Sequence, residues 1–106
     1  MTLMEETKID FANLPLVEPG PGVRWRGTVG DGKRLRVAEF DRVFVEREWC
    51  TKGHAAYVLQ GEVELVFADR TVRFYQGDGI LIADGESRKH KLRVLSERAT
   101  LFIVDL

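Results

Sequence analysis

Cys50, His54 and His90 are the one cysteine and the two histidines of this 106-residue chain. A thiolate with imidazole nitrogens suits zinc, nickel, copper or iron better than magnesium or calcium, which prefer oxygen donors. Glu48 stands two before Cys50, and Arg88 two before His90. In extended backbone, residues two apart share a face. Glu48 therefore offers a carboxylate oxygen beside the thiol, and Arg88 a cation that favours the thiolate or holds an anion. Each residue also has a structural alternative. A lone intracellular cysteine can be a small buried hydrophobe. His54 could close a turn against backbone, His90 could be solvated among Arg88, Lys89 and Lys91, and Glu48 could pair with Arg88.

Whether these groups meet depends on the elements that carry them. From Val23 onward apolar residues recur with period two, which puts one face of a strand on a core and the other in water. Val23 and Trp25 alternate with Arg24 and Arg26, Leu35 and Val37 with Arg34 and Arg36, and Val43, Val45 and Trp49 share one parity. The same rhythm runs through Val63, Leu65 and Phe67, through Val72 and Phe74, and through Leu92 and Val94. Residues 100–104 are apolar on both parities, as in a strand covered on both faces. Turn signals separate the runs at Gly30-Asp31-Gly32, Gln60-Gly61-Glu62, Ala68-Asp69-Arg70, Gly77-Asp78-Gly79 and Asp84-Gly85-Glu86-Ser87. Short strands punctuated this way predict an all-β sandwich or barrel.

Residues 1–22 differ. Pro15, Pro19, Gly20, Pro21 and Gly22 crowd together, and proline removes a ladder donor. The expectation is an irregular N-terminal arm over 1–22, with a turn of helix near residues 4–9, followed by a barrel domain over 23–106. Leu14, Leu16 and Val17 could cover a sheet edge or a partner subunit. A floppy tail is the alternative.

Composition narrows the function classes. Apolar residues at 44% and charged residues at 31% are ordinary globular values. Sixteen basic against seventeen acidic side chains leave a formal net charge of −1. Nucleic-acid binding normally shows a basic surplus, so no nucleic acid is expected. No apolar run approaches the roughly 18 residues of a spanning helix, so no membrane is expected either. A single cysteine allows no internal disulfide, and the acidic start MTLMEETKID does not read as a secretory signal; the cytoplasm is the expected compartment.

Two blocks resemble the paired motifs of the cupin superfamily. Tyr57-Val58-Leu59-Gln60-Gly61-Glu62 is similar to the end of the first motif, where a metal-ligating Glu precedes the glycine by seven; here that position is His54. Gly77-Asp78-Gly79-Ile80-Leu81-Ile82-Ala83-Asp84-Gly85 resembles the second motif, with Ala83 at its proline. Fifteen residues separate Gly61 from Gly77, a short spacing common in microbial cupins. The resemblance covers roughly residues 34–105 and implies a double-stranded β-helix, or jelly-roll barrel. The usual ligands are altered. Glu48-Trp49-Cys50 stands at the His-x-His spacing, and Arg88 at the second-motif His, with His90 two residues on. The phrase Trp49-Cys50-Thr51-Lys52-Gly53-His54 is similar to one carried by some small cupins of unknown role.

With that alignment Cys50, His54 and His90 would meet in the barrel mouth as metal ligands, and Glu48 could add an oxygen as the fourth ligand. Ala56 and Val58 share the parity of His54 and would line the cavity, whereas Tyr57 would face away. Three readings follow: a metalloprotein holding Zn, Fe, Ni or Cu and acting on a small molecule; a metal-free module in which Arg88 and His90 hold an anionic ligand against Ala56 and Val58; and a structural or regulatory domain. No general base is identifiable, so no reaction is named. A homodimer is expected, from the resemblance and from the need to cover strand edges.

Overall fold

The computed structural model describes residues 7–106 and the backbone of the strand Met4–Glu5. Among the described residues eleven strands follow one another: β1 Met4–Glu5, β2 Lys8–Ile9, β3 Val17–Gly20, β4 Val23–Gly30, β5 Lys33–Asp41, β6 His54–Gln60, β7 Glu62–Phe67, β8 Thr71–Tyr75, β9 Gly79–Ile82, β10 His90–Val94 and β11 Arg98–Asp105. Two single 3-10 turns, Phe11–Asn13 and Glu86–Arg88, are the only helical pieces among the described residues. The all-β expectation holds. The helical turn expected near residues 4–9 does not, because β1 and β2 pair there as a small antiparallel ladder.

A six-stranded sheet in the order β3-β4-β5-β11-β6-β9 faces a three-stranded sheet, β10-β7-β8. The register of the larger sheet assigns its inner face. Val23 pairs Phe40, Trp25 pairs Ala38, Leu101 pairs Ala38 and Val58, and Ile103 pairs Arg36 and Ala56. Paired residues point to one side. The apolar side chains among them meet Val63, Leu65 and Val94 of the smaller sheet in one core. The chain passes between the sheets at Gly61, whose φ is 88°. A Cβ there would run into the Arg98 carbonyl oxygen and lie 2.8 Å from Ala99 Cα. Glycine is required at that crossing both for conformation and for space.

Two parity expectations are overturned. Leu35 and Val37 face outward, and the even residues Arg36, Ala38 and Phe40 face in, because Arg36 finds an internal carboxylate in Asp105. Residues 42–53 form no strand apart from a single bridge at Cys50, so Val43 and Val45 are exposed while Phe44 and Glu46 turn inward. Phe44 packs edge-on against Phe40 at a centroid distance of 5.0 Å, which anchors that inversion. Leu14 of the arm is buried, and its carbonyl accepts a 2.6 Å hydrogen bond from Arg26.

Candidate metal centre

Cys50 belongs to the long connection between β5 and β6, yet its backbone is fixed. Its N–H donates to the His90 carbonyl at 2.9 Å, and the His90 N–H donates back to the Cys50 carbonyl at 3.0 Å. This bridge ties the connection to the first residue of β10 in the smaller sheet. His54 opens β6 in the larger sheet, directly after Gly53. A Cβ on Gly53 would sit 2.9 Å from both Asp84 Oδ1 and the Ile82 carbonyl oxygen. The glycine of the Trp-Cys-x-x-Gly-His phrase thus lets β6 start against the Asp84 turn, and the Gly53 N–H donates to Asp84. The rim where the two sheets approach receives a sulfur from the connection and one imidazole from each sheet. One donor atom from each of Cys50, His54 and His90 lies within 4.8 Å of the others.

The second nitrogen of each ring settles its tautomer. His54 Nδ1 lies 2.8 Å from Asp105 Oδ1. Asp105 also receives Arg34 Nε at 2.6 Å and Arg36 Nε at 3.0 Å. Burial pushes the Asp105 carboxyl up, but these two guanidiniums outweigh it and hold the group below its ordinary value. An ionised carboxylate only accepts, so Nδ1 carries the proton and Nε2 the lone pair. Burial also pushes the His54 pKa down against the opposing pull of Asp105, which favours the neutral ring. His90, 3% exposed, places Nδ1 3.0 Å from the Arg88 carbonyl oxygen, again an acceptor. Its Nε2 is likewise left with the lone pair. His54 Nε2 lies 3.4 Å from Cys50 Sγ.

This donor set fits a metal. Metal-bound imidazoles almost always give their other N–H to a carboxylate or carbonyl, as both do here. With zinc bond lengths of about 2.1 Å to nitrogen and 2.3 Å to sulfur, a tetrahedral edge from S to N spans about 3.6 Å. The sulfur–imidazole separation already has that size. The widest separation in the trio, no more than 4.8 Å, asks for a contraction of at most about 1.4 Å, within reach of a rotamer adjustment.

The other expected site residues are placed differently. Glu48 is exposed and does not line the barrel, since no strand precedes Cys50 and a bend at Glu48 breaks the two-residue parity. Arg88 ends a 3-10 turn with its side chain exposed; only its carbonyl reaches the site. Val58 has the expected parity but is fully buried in the core and does not reach the cavity wall, which its pair partner Leu101 lines. Ala56 does line the cavity.

That cavity measures about 240 Å3 and opens beside the two imidazoles. Its wall is mostly apolar, and among the described residues the polar side chains on it are Arg36, Glu46, His54 and His90. Glu46 was not singled out in the sequence. Its Oε1 accepts the Leu92 N–H at 2.7 Å, and burial pushes its pKa up despite that bond and the nearby positive groups. Asp105 was also missed, although its place at the end of the last apolar run, opposite the first residue of β6, is what positions His54.

Comparison with solved structures follows the same outline. An RmlC-like cupin from Shewanella frigidimarina superposes with a TM-score of 0.74 over 96% of this chain and 90% of its own, at 12% identity. The fold is that of the cupin superfamily. KdgF from a Halomonas species superposes with a TM-score of 0.71 at 16% identity, over 89% of each chain. An HTH_3 family transcriptional regulator from Vibrio cholerae matches 79% of this chain with a TM-score of 0.64 and 12% identity, and this chain spans only 50% of it. At such identities the likeness concerns the cupin fold alone. No protein-family model matches the sequence, and no curated protein does. Among the described residues no helix is long and apolar enough to cross a membrane.

Proposed function

We propose that this small cupin-fold protein holds a divalent transition metal through Cys50 Sγ, His54 Nε2 and His90 Nε2. The observation that carries this reading is that both imidazoles are tied back through Nδ1 to oxygen acceptors, leaving their free nitrogens for the group that also faces the thiol. Three protein donors leave a coordination position for a small molecule entering the cavity, an arrangement typical of reactive rather than purely structural zinc sites. A bound ion would act as a Lewis acid toward that molecule. Arg36 and Glu46 are placed to orient it. The donor set accepts Zn, Fe, Ni or Cu.

Elemental analysis of untagged protein, before and after reloading, tests the reading. Near-stoichiometric transition metal is expected, and cobalt-loaded protein should show a thiolate charge-transfer band that Cys50→Ser removes. Failure to take up metal after reloading would leave a metal-free binding cavity as the better account. The proposal includes a homodimer. Edge strand β9 carries Leu81, which is 81% exposed, beside half-exposed Tyr57 and Leu59 of β6, and a second copy covering that edge would bury all three. Light scattering after size exclusion should give twice the monomer mass, and a monomer would overturn this part.

A further inference from the structure

The cavity wall identifies a chemical class of ligand. At about 240 Å3 it is larger than the 150 Å3 engineered cavity that holds benzene, and smaller than drug-sized pockets, which begin near 300 Å3. Away from the imidazoles the wall is built of Trp25, Phe40, Phe44, Ile80 and Leu101, together with other apolar side chains. A polyol or sugar lodged there would bring several hydroxyls to a surface with few partners, and each one left unpaired would lose its hydration without replacement. An apolar body meets no such penalty. Among the described residues the polar end of the cavity is formed by Arg36, Glu46, His54 and His90.

The charge at that end has a sign. Asp105 is shared by two guanidiniums, Arg34 and Arg36, and can neutralise only one of them. A divalent ion held by one thiolate and two neutral imidazoles adds a further net positive charge. Among the described residues Glu46 is the one carboxyl on the cavity wall, and the Leu92 N–H holds its Oε1. Burial pushes its pKa up, which lowers the cost of neutralising it beside an incoming anion.

We infer that the cavity takes a small monocarboxylate with a compact aromatic or branched apolar body, its carboxylate directed to the metal position and Arg36 and its body against Trp25 and Phe44. The inference rests on the metal-binding reading above and deepens it.

Benzoate, benzyl alcohol and glycerate separate the contributions of body and head. Zinc-loaded Trp49→Phe protein leaves Trp25 on the cavity wall as the sole tryptophan reporter, with zinc content measured on the same sample. Benzoate should bind at least about tenfold more tightly than either benzyl alcohol or glycerate. Ala56→Phe, which fills the cavity, should weaken benzoate at least about tenfold while zinc stays bound. Should Ala56→Phe not fold, Phe44→Ala enlarges the same space and should shift preference toward 1-naphthoate by a similar factor. Glycerate or benzyl alcohol binding as well as benzoate would overturn the ligand class, and so would indifference to the cavity variants. Zinc content near zero would instead refute the metal reading. Benzoate titration of the metal-free protein then judges the ligand class by the same comparison.

Discussion

Asp105 lies directly across from His54 in the pairing of β11 with β6, and its Oδ1 sits 2.8 Å from His54 Nδ1. On its other side the same residue pairs Arg34 of β5, so a cation, a carboxylate and an imidazole stand in one row across three strands. Sheet register, rather than any loop, sets the orientation of the first imidazole. The row is why His54 presents Nε2, and not Nδ1, to Cys50.

Asp105→Asn should therefore loosen the site without removing a ligand. An amide in that place can offer either end to Nδ1, and it releases Arg34 and Arg36. Zinc affinity, read by competition with a chromophoric chelator, should fall about 10–100-fold with the fold retained by circular dichroism. Unchanged affinity would mean that His54 is oriented by something else.

Acid should destabilise the metal-free protein in two stages. The His54 pKa is lowered in the folded state by burial, so the unfolded chain binds the proton more readily. Stability from the buried neutral ring is then present above the unfolded value, about 6.5, and declines as pH falls through it toward the folded pKa. Asp105 is also lowered, because its guanidinium partners outweigh burial, so its contribution is lost further down, as pH drops below about 3.9. Urea midpoints between pH 8 and pH 3 should show both declines. His54→Gln should flatten the upper one.

Glu46 works with the opposite sign. Burial raises its pKa, so its contribution to stability is complete below the unfolded value, about 4.3, and is lost as pH rises through the folded pKa. Glu46→Gln should raise the melting temperature of the metal-free protein at pH 7.5 more than at pH 4. An equal change at both values would show that the carboxyl is not charged unfavourably in the cavity.

Gly61 and Gly32 offer a matched test of the sheet crossing. Both have positive φ, 88° and 73°, but a Cβ at Gly32 meets nothing within 4 Å. Gly32→Ala should cost about 1 kcal/mol from conformation alone. Gly61→Ala adds the collision with Arg98 and Ala99 and should cost about 3 kcal/mol or more by urea denaturation. Equal costs would show that backbone conformation alone keeps glycine at the crossing.

Leu81→Lys places a charge on edge strand β9. If a second copy covers that edge, the variant should run as a monomer with its zinc content unchanged, because Leu81 faces away from the cavity. A dimer that survives the substitution would place the contact elsewhere.

The all-β architecture and its turns were legible because a strand's period of two and the Gly/Asp punctuation are local properties. Cys50, His54 and His90 were legible because soft donors are rare in this chain and their types name the chemistry. Parity misled where backbone was not extended or where a charge found an internal partner. Val43 and Val45 read as core but are exposed, since residues 42–53 run irregularly and Phe44 packs on Phe40. Arg36 read as surface but faces inward, since Asp105, distant in sequence, waits on the adjoining strand.

Sequence alone thus determined which elements form and which donors are on hand, because both depend on residue type and near neighbours. Only tertiary structure decided that Glu46 and Arg36 enter the cavity, that Glu48 and Arg88 stay outside it, and that Asp105 stands behind His54. Those placements are set by pairing across sheets and by burial, where the free energy of a polar group depends on a partner many residues away.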